Sequence, residues 1–187
     1  MAIEFKGKKK QTHLKIMHAA KILFEQKGLY NVTIEEISEA ASICRSTFFN
    51  HFATMDDLLI GLARQEMADI TEEFAVEKAE GKEAVKMIMN KLIDDTVPYP
   101  YLIMQLIFKL ILKHEDSDSI SKIWELVETN IKKAIEGKET AYSSEELTSL
   151  LIGNYFGSVF GAFVANRPVD GDALKQMISK AADDLLG

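Results

Sequence analysis

Strand signals are missing from this sequence of 187 residues. No segment alternates apolar and polar residues clearly, and no Asn-Gly pair joins two such segments. Cysteine is nearly missing too: Cys44 stands alone, which rules out an intrachain disulfide framework and points to a reducing compartment. Proline is limited to three residues and glycine to ten, so long stretches are left free of helix breakers. Metal-ligand spacing is also absent. His13, His18, His51 and His114 form no pattern with cysteine or carboxylates, and there is no H-E-x-x-H, phosphate loop or dinucleotide fingerprint. Neither metal nor cofactor is expected, and the chain does not read as an enzyme. The first residues, MAIEFKGKKKQTH, are basic but lack the apolar segment of an export signal, so a cytoplasmic protein is expected.

What is present is 47% hydrophobic and 27% charged, with Leu, Ile, Ala, Lys and Glu recurring at helical spacing. That pattern predicts an all-α fold. A first helix runs from about Lys10 to Lys27 and stops at Gly28. Thr33, followed three residues later by Glu36, makes a capping box for a short second helix. A tight connection near Ser42 and Ile43 leads to a third helix, and Thr54 with Asp57 opens a long fourth one, expected to reach about Glu80. Beyond Gly81 the spacing predicts helices over 82–95, 101–114, about 120–136, 144–165 and 170–186, with EDSDS as a polar loop before the seventh. The acid pairs Asp56-Asp57, Asp94-Asp95 and Asp183-Asp184 fall at helix ends, where capping or solvation explains them. The expected organisation is a three-helix helix-turn-helix module over 1–53 and a six-helix domain over 54–187.

Charge divides the chain in the same way. Residues 1–53 hold eight Lys or Arg against five acids, a balance of +3 within a total of −7, which leaves −10 for the remainder. A front module able to approach a polyanion is implied.

The stretch ASICRSTFFNHF, residues 41–52, fits that role. On a helical wheel Phe48 and Phe52 share a face and pack inward with Leu23, Ile37 and Ile43. Ser46, Thr47, Phe49 and Asn50 then point outward. Short hydrogen-bonding side chains on such a helix suit base edges in a major groove, where Asn pairs with adenine and Arg with guanine. The alternative is a helical adaptor that uses the Phe49 face for a protein or lipid partner.

Residues 16–59 resemble the DNA-binding domain of the TetR family of transcriptional regulators. The resemblance rests on Ala19, Ala20, Leu23, Phe24, Gly28, Thr33, Ile37, Ala41, Thr47, Phe48, Phe49, Phe52 and Leu58. It implies a phosphate contact by Thr33 and an approach to DNA by Arg45, Ser46, Thr47, Asn50 and His51, with Phe49 in place of a usual tyrosine. Four positions depart from the family pattern. Phe49 lacks the phosphate-binding hydroxyl, Met55 stands where a lysine is usual, Ser42 replaces a turn glycine, and Cys44 sits where a serine often caps the recognition helix. The two lost phosphate contacts predict modest affinity and a shallower salt dependence.

One short helix reads too few base pairs for specificity, so a two-fold dimer is expected. The eighth helix, LTSLLIGNYFGSVFGAFVAN, offers a smooth stripe of Gly153, Gly157 and Gly161 flanked by Leu150, Phe160 and Val164, with Leu174, Met177 and Ile178 of the ninth helix as its companion. The same uncharged run of twenty residues has the length of a membrane helix, an alternative opposed by Asn154 and its Ser and Thr residues. The sixth helix, YLIMQLIFKLIL, is apolar almost all round, which predicts burial. The family resemblance implies a small-molecule effector bound among helices four to seven. Met67, Phe74, Met89, Tyr101, Met104, Gln105, Phe108 and Trp124 are the candidate lining residues there, and the resemblance makes repression the expected mode of control.

Overall fold

The computed structural model describes the backbone of residues 2–76, 79–113 and 117–187, and most of their side chains. Nine α-helices and no strand occur among the described residues: α1 (Ala2–Lys27), α2 (Ile34–Ala40), α3 (Arg45–Phe49), α4 (Met55–Val76), α5 (Gly81–Thr96), α6 (Pro100–Lys113), α7 (Ser117–Ile135), α8 (Ser144–Val164) and α9 (Gly171–Leu186). The chain divides into two compact units, one of residues 1–65 with 101–116, the other of residues 66–100 with 117–187.

Three boundaries differ from the sequence expectation. α1 begins at Ala2 rather than near Lys10, because lysine and glutamine are good helix formers even where no apolar stripe marks them. α7 begins at Ser117, so Ser117, Asp118 and Ser119 form its first turn; residues 115 and 116 lie outside the described residues. α4 is described as far as Val76.

In the first unit α1 packs on α2 and on a single 3-10 turn, Leu29–Asn31, and α2 packs on α3. Ile16, Ala20, Phe24, Ile37 and Phe48 are fully buried there, with Phe52 nearly so. Leu23 and Ile43, expected in that core, are only half-buried. Leu23 instead lines an open groove of about 630 Å3 beside Leu14, Ile22 and Ala41. Gly28 ends α1 with φ +80°, a value that favours glycine.

The α2–α3 turn is built on a second left-handed residue, Ser42, at φ +55°. Its N–H donates to the Glu39 carbonyl at 2.9 Å, and the Ile43 N–H donates to Ser38 at 2.9 Å. This is the Schellman arrangement, in which the residue just past a helix turns left-handed so that the last carbonyls find donors. Asn166 repeats it after α8, at φ +49°.

In the second unit α5 packs on α7 and α9, and α8 packs on α7 and α9. Val85, Ile93, Val127, Ile131, Leu151, Val159, Ile178 and Ala182 are completely buried among these helices. Ser143 and Glu146 close a capping box at the start of α8. Within the core, Thr96 donates to the Leu92 carbonyl at 2.8 Å and lies 2.5 Å from the Tyr155 hydroxyl. Since the Thr96 hydrogen is already committed, Tyr155 is the donor in that pair. Burial pushes the Tyr155 hydroxyl up to about 12, which keeps it a donor. By length and apolar composition α8 would suit a bilayer, but in this fold its Leu147, Leu151, Tyr155 and Val159 are buried against neighbouring helices.

Candidate nucleic-acid interface

α3 is only five residues long, and its orientation is set by aromatic anchors. Phe48 is fully buried and Phe52 is 5% exposed, their ring centroids 5.9 Å apart. With these two inside, the turns on either side of Phe48 carry other side chains outward. Arg45, Ser46, Phe49 and Asn50 are exposed and Thr47 is half-buried. Phe49 keeps 42% of its surface in solvent, an apolar ring set among polar groups.

Arg45 is steered by two neighbours. Its guanidinium is 3.0 Å from Glu35 of α2 and 5.4 Å from the centroid of the Phe49 ring. Sequence reasoning did not find Glu35. The two residues are ten apart across a left-handed turn, and no periodic signal connects them.

Cys44 occupies the N-cap position of α3 without a side-chain bond to the backbone. Its sulfur lies 3.1 Å from the Ser46 hydroxyl and 3.0 Å from that of Thr47. Those hydrogen bonds favour the thiolate and bring the thiol down to about 7.

Thr33 accepts from the Glu36 N–H at 3.2 Å, while its own N–H donates to the Glu36 carboxylate at 2.8 Å. Its hydroxyl is therefore already engaged in the capping box. Lys27, at 2.6 Å from Glu36, and the Thr33 donors hold that carboxyl down at about 2.

His51, just past α3, lies 5.6 Å from His13 of α1, and the His13 ring stacks on Phe52 at 4.5 Å. Burial lowers both imidazoles, helped at His13 by His51 and at both by Lys9. Both shifts favour the uncharged imidazole.

The expected effector residues differ in burial. The side chains of Met67 and Phe74 lie outside the described residues. Met89 of α5 and Met104 of α6 are buried, and Trp124 of α7 is half-buried. α6 is not buried all round: Tyr101, Phe108 and Ile111 are each about half exposed, whereas Leu102, Met104 and Leu106 face inward. An apolar pattern without a polar side cannot distinguish a covered face from an open one. Gln105 accepts from the Leu29 N–H at 3.2 Å.

On α8, Leu150, Gly153, Phe160 and Val164 are exposed, and a Cβ at Gly153, Gly157 or Gly161 would meet nothing within 4 Å. Leu174 and Ile178 of α9 are instead buried inside their own unit, because they lie on the face of α9 that packs on α5 and α8. Met177, 38% exposed, stays on the open side. A shallow cavity of about 240 Å3 there is lined by Gly157, Gly161, Ala173 and Met177.

Comparison with known proteins agrees with this geometry. Residues 16–62 match the family described as bacterial regulatory proteins, tetR family. The transposon Tn10 TetC protein of Escherichia coli is 28% identical over 150 residues, covering 77% of this chain and 76% of that protein. Among solved structures, the transcriptional regulator FadR from Bacillus subtilis, in complex with stearoyl-CoA, superposes with a TM-score of 0.75 at 16% identity, over 90% of this chain and 96% of that one. A TetR transcription regulator from Haloarcula marismortui gives 0.74 at 19% identity, over 94% and 98%. The family match spans α1 to the start of α4, the helices that hold the outward face of α3, and in these residues the chain carries the N-terminal domain of the bacterial regulatory proteins of the tetR family.

Proposed function

We propose that the protein is a repressor that binds a palindromic operator as a homodimer and is released by a small-molecule effector. In this reading residues 1–53 carry DNA recognition and residues 54–187 carry dimerisation and effector binding. The observation that carries it is the outward face of α3, where Arg45, Ser46, Phe49 and Asn50 are exposed above the buried pair Phe48 and Phe52. Asn50 is the side chain suited to adenine, Arg45 to guanine or phosphate, and the Phe49 ring to a thymine methyl. Thr47 and His51 flank them. Thr33, at the α2 N-terminus, approaches a phosphate through a hydroxyl that must also serve its cap.

Homodimer formation is supported by the open stripe on α8. Leu150, Gly153, Gly157, Phe160 and Val164 form an apolar strip that its own unit leaves uncovered, and Met177 of α9 extends it. Two copies related by a two-fold axis would cover both strips at once. For the effector, Met89, Met104 and Trp124 are the apolar candidates on α5, α6 and α7. The Bacillus subtilis FadR structure contains stearoyl-CoA, which supports small-molecule binding on this fold.

Electrophoretic retardation of DNA flanking the protein's own gene tests the proposal. A discrete shifted band that maps to an imperfect palindrome is expected. Failure to retard any fragment at low salt, with folded protein, would remove the DNA reading and leave the Phe49 face to a protein or lipid partner.

A further inference from the structure

Two imidazoles and one ammonium gather beside the end of α3. Lys9 and His13 are four apart on α1, so they stand one turn from each other on the same face of that helix. His51 follows Asn50, the exposed C-cap residue of α3, and its N–H donates to the Phe48 carbonyl at 2.8 Å. The ring centroids of His13 and His51 are 5.6 Å apart. Phe52 fixes the pair from the core side. The His13 ring lies over it at 4.5 Å and 24° from parallel, and a Cβ at Gly61 of α4 would stand 3.1 Å from the Phe52 ring, so Phe52 is wedged between α1 and α4. Both imidazoles remain half-buried.

The charges that act on this cluster are of one sign. Lys9 acts on both rings and His51 acts on His13, each adding to burial in favouring the uncharged imidazole. Acids on the neighbouring elements are engaged elsewhere. In the first turn of α4, Asp57 accepts from the Thr54 hydroxyl at 2.8 Å and Asp56 accepts from Lys109 at 2.5 Å. On α2, Glu35 pairs with Arg45 and Glu36 with Lys27. Among the described residues neither imidazole is paired with a carboxylate. A group of this composition suits an anion from outside the chain.

We propose that Lys9, His13 and His51 form a site for a backbone phosphate of DNA, and that the imidazole pair takes up a proton from solvent when the phosphate arrives. This rests on the DNA reading above, which brings a polyanion to the exposed face of α3. A phosphate beside the pair favours the imidazolium and accepts its N–H, against the burial and the Lys9 charge that oppose protonation in the free protein. Histidine ordinarily titrates near 6.5, so this balance is struck close to neutral pH. A site that is uncharged when free and charged when bound binds more tightly as pH falls, until the ring is charged in both states. Phosphates are common to every sequence, so selected and random DNA share the gain.

The test measures affinity by fluorescence anisotropy at fixed salt, from pH 7.5 to pH 5.5, on a selected and a random duplex. Every protein in it is the full chain carrying Cys44→Ser, because the Cys44 thiol, at about 7, would titrate in the same range. Binding to both duplexes should tighten roughly 3- to 30-fold across that interval. His13→Phe keeps a ring on Phe52 and should lose at least about half of the gain on a logarithmic scale. His18→Gln, at an exposed histidine of the same helix, should keep all of it. A parent protein that binds with no gain, a His13→Phe variant that keeps the whole gain, or an equal loss in His18→Gln would overturn the proton-linked site and leave the DNA reading intact. A parent protein that binds neither duplex at any pH would overturn both. Should His13→Phe fail to melt cooperatively, NMR titration of the histidine ring protons decides: the midpoints of His13 and His51 should rise on adding duplex, and midpoints that stay or fall would overturn the proposal.

Discussion

Arg45 and Glu35 form an ion pair, Nη1 to Oε1 at 3.0 Å, that joins α3 to α2. Both side chains are more than half exposed, at 63% and 59%, so the pair contributes little to stability, about 0.2–1 kcal/mol. In the proposed DNA reading it is a competitor, since Arg45 would have to leave the carboxylate to reach a base or phosphate. Glu35→Gln should therefore raise operator affinity by about fivefold, the equivalent of about 1 kcal/mol, as read by fluorescence anisotropy at fixed salt. The melting temperature should barely change.

Stability of the front unit should improve at two serines. Ser42 holds φ +55° in the α2–α3 turn, where a side chain is strained by about 1–2 kcal/mol and glycine is not. Glycine gives back part of this through its more flexible unfolded state, so Ser42→Gly should gain about 0.5–1 kcal/mol. Ser38, 4% exposed, buries a hydroxyl with no partner among the described residues. Ser38→Ala should gain about 1 kcal/mol. Urea unfolding of each variant checks both signs.

Acid sensitivity should depend on Glu36. Its carboxyl lies at about 2 against an ordinary 4.5, held down first by Lys27 and then by the Thr33 donors. A lowered acid favours the folded state above pH 4.5, and that contribution is lost as pH falls from 4.5 towards 2. Glu36→Gln should flatten the pH dependence of unfolding within that window and leave its slope between pH 6 and 8 unchanged.

Cys44 should react with iodoacetamide at a rate that rises through about pH 7, rather than near the 9.0 of an ordinary thiol. Ser46→Ala should move that midpoint upward, because the Ser46 hydroxyl is the main group stabilising the thiolate. Alkylated protein should lose operator binding, since the adduct would stand at the start of α3. Mass spectrometry of the single cysteine gives the rate directly.

Phe160, 57% exposed on α8, should be central to self-association. Phe160→Asp should convert a dimer to a monomer by sedimentation velocity, and weaken operator binding by more than tenfold, because one α3 then acts without its twin. Leu174→Ala should instead destabilise the fold by about 2–5 kcal/mol, as a core truncation does.

How far the sequence could be read followed the range of the interactions. The Thr33–Glu36 and Thr54–Asp57 caps are local, and both form as their spacing requires. Phe48 and Phe52 could be oriented because a separation of four is one helical turn, and that turn continues past the end of α3, where the Phe52 N–H donates to the Phe48 carbonyl at 2.9 Å. By contrast, Gln105 meets Leu29 across 76 residues, and Lys109 meets Asp56 across 53. Nothing in a linear pattern links such pairs. Likewise, Leu174, Met177 and Ile178 share an apolar stripe, but only packing decides that two of them face inward and one faces out.

The most direct test is a binding titration of wild-type protein and Asn50→Ala on the duplex recovered by selection, alongside a random duplex of equal length. If α3 reads bases, Asn50→Ala should lose about 1–3 kcal/mol on the selected duplex alone, roughly 5- to 150-fold, and bind random DNA as wild type does. Equal affinity of both proteins for the selected duplex would contradict base reading by this helix.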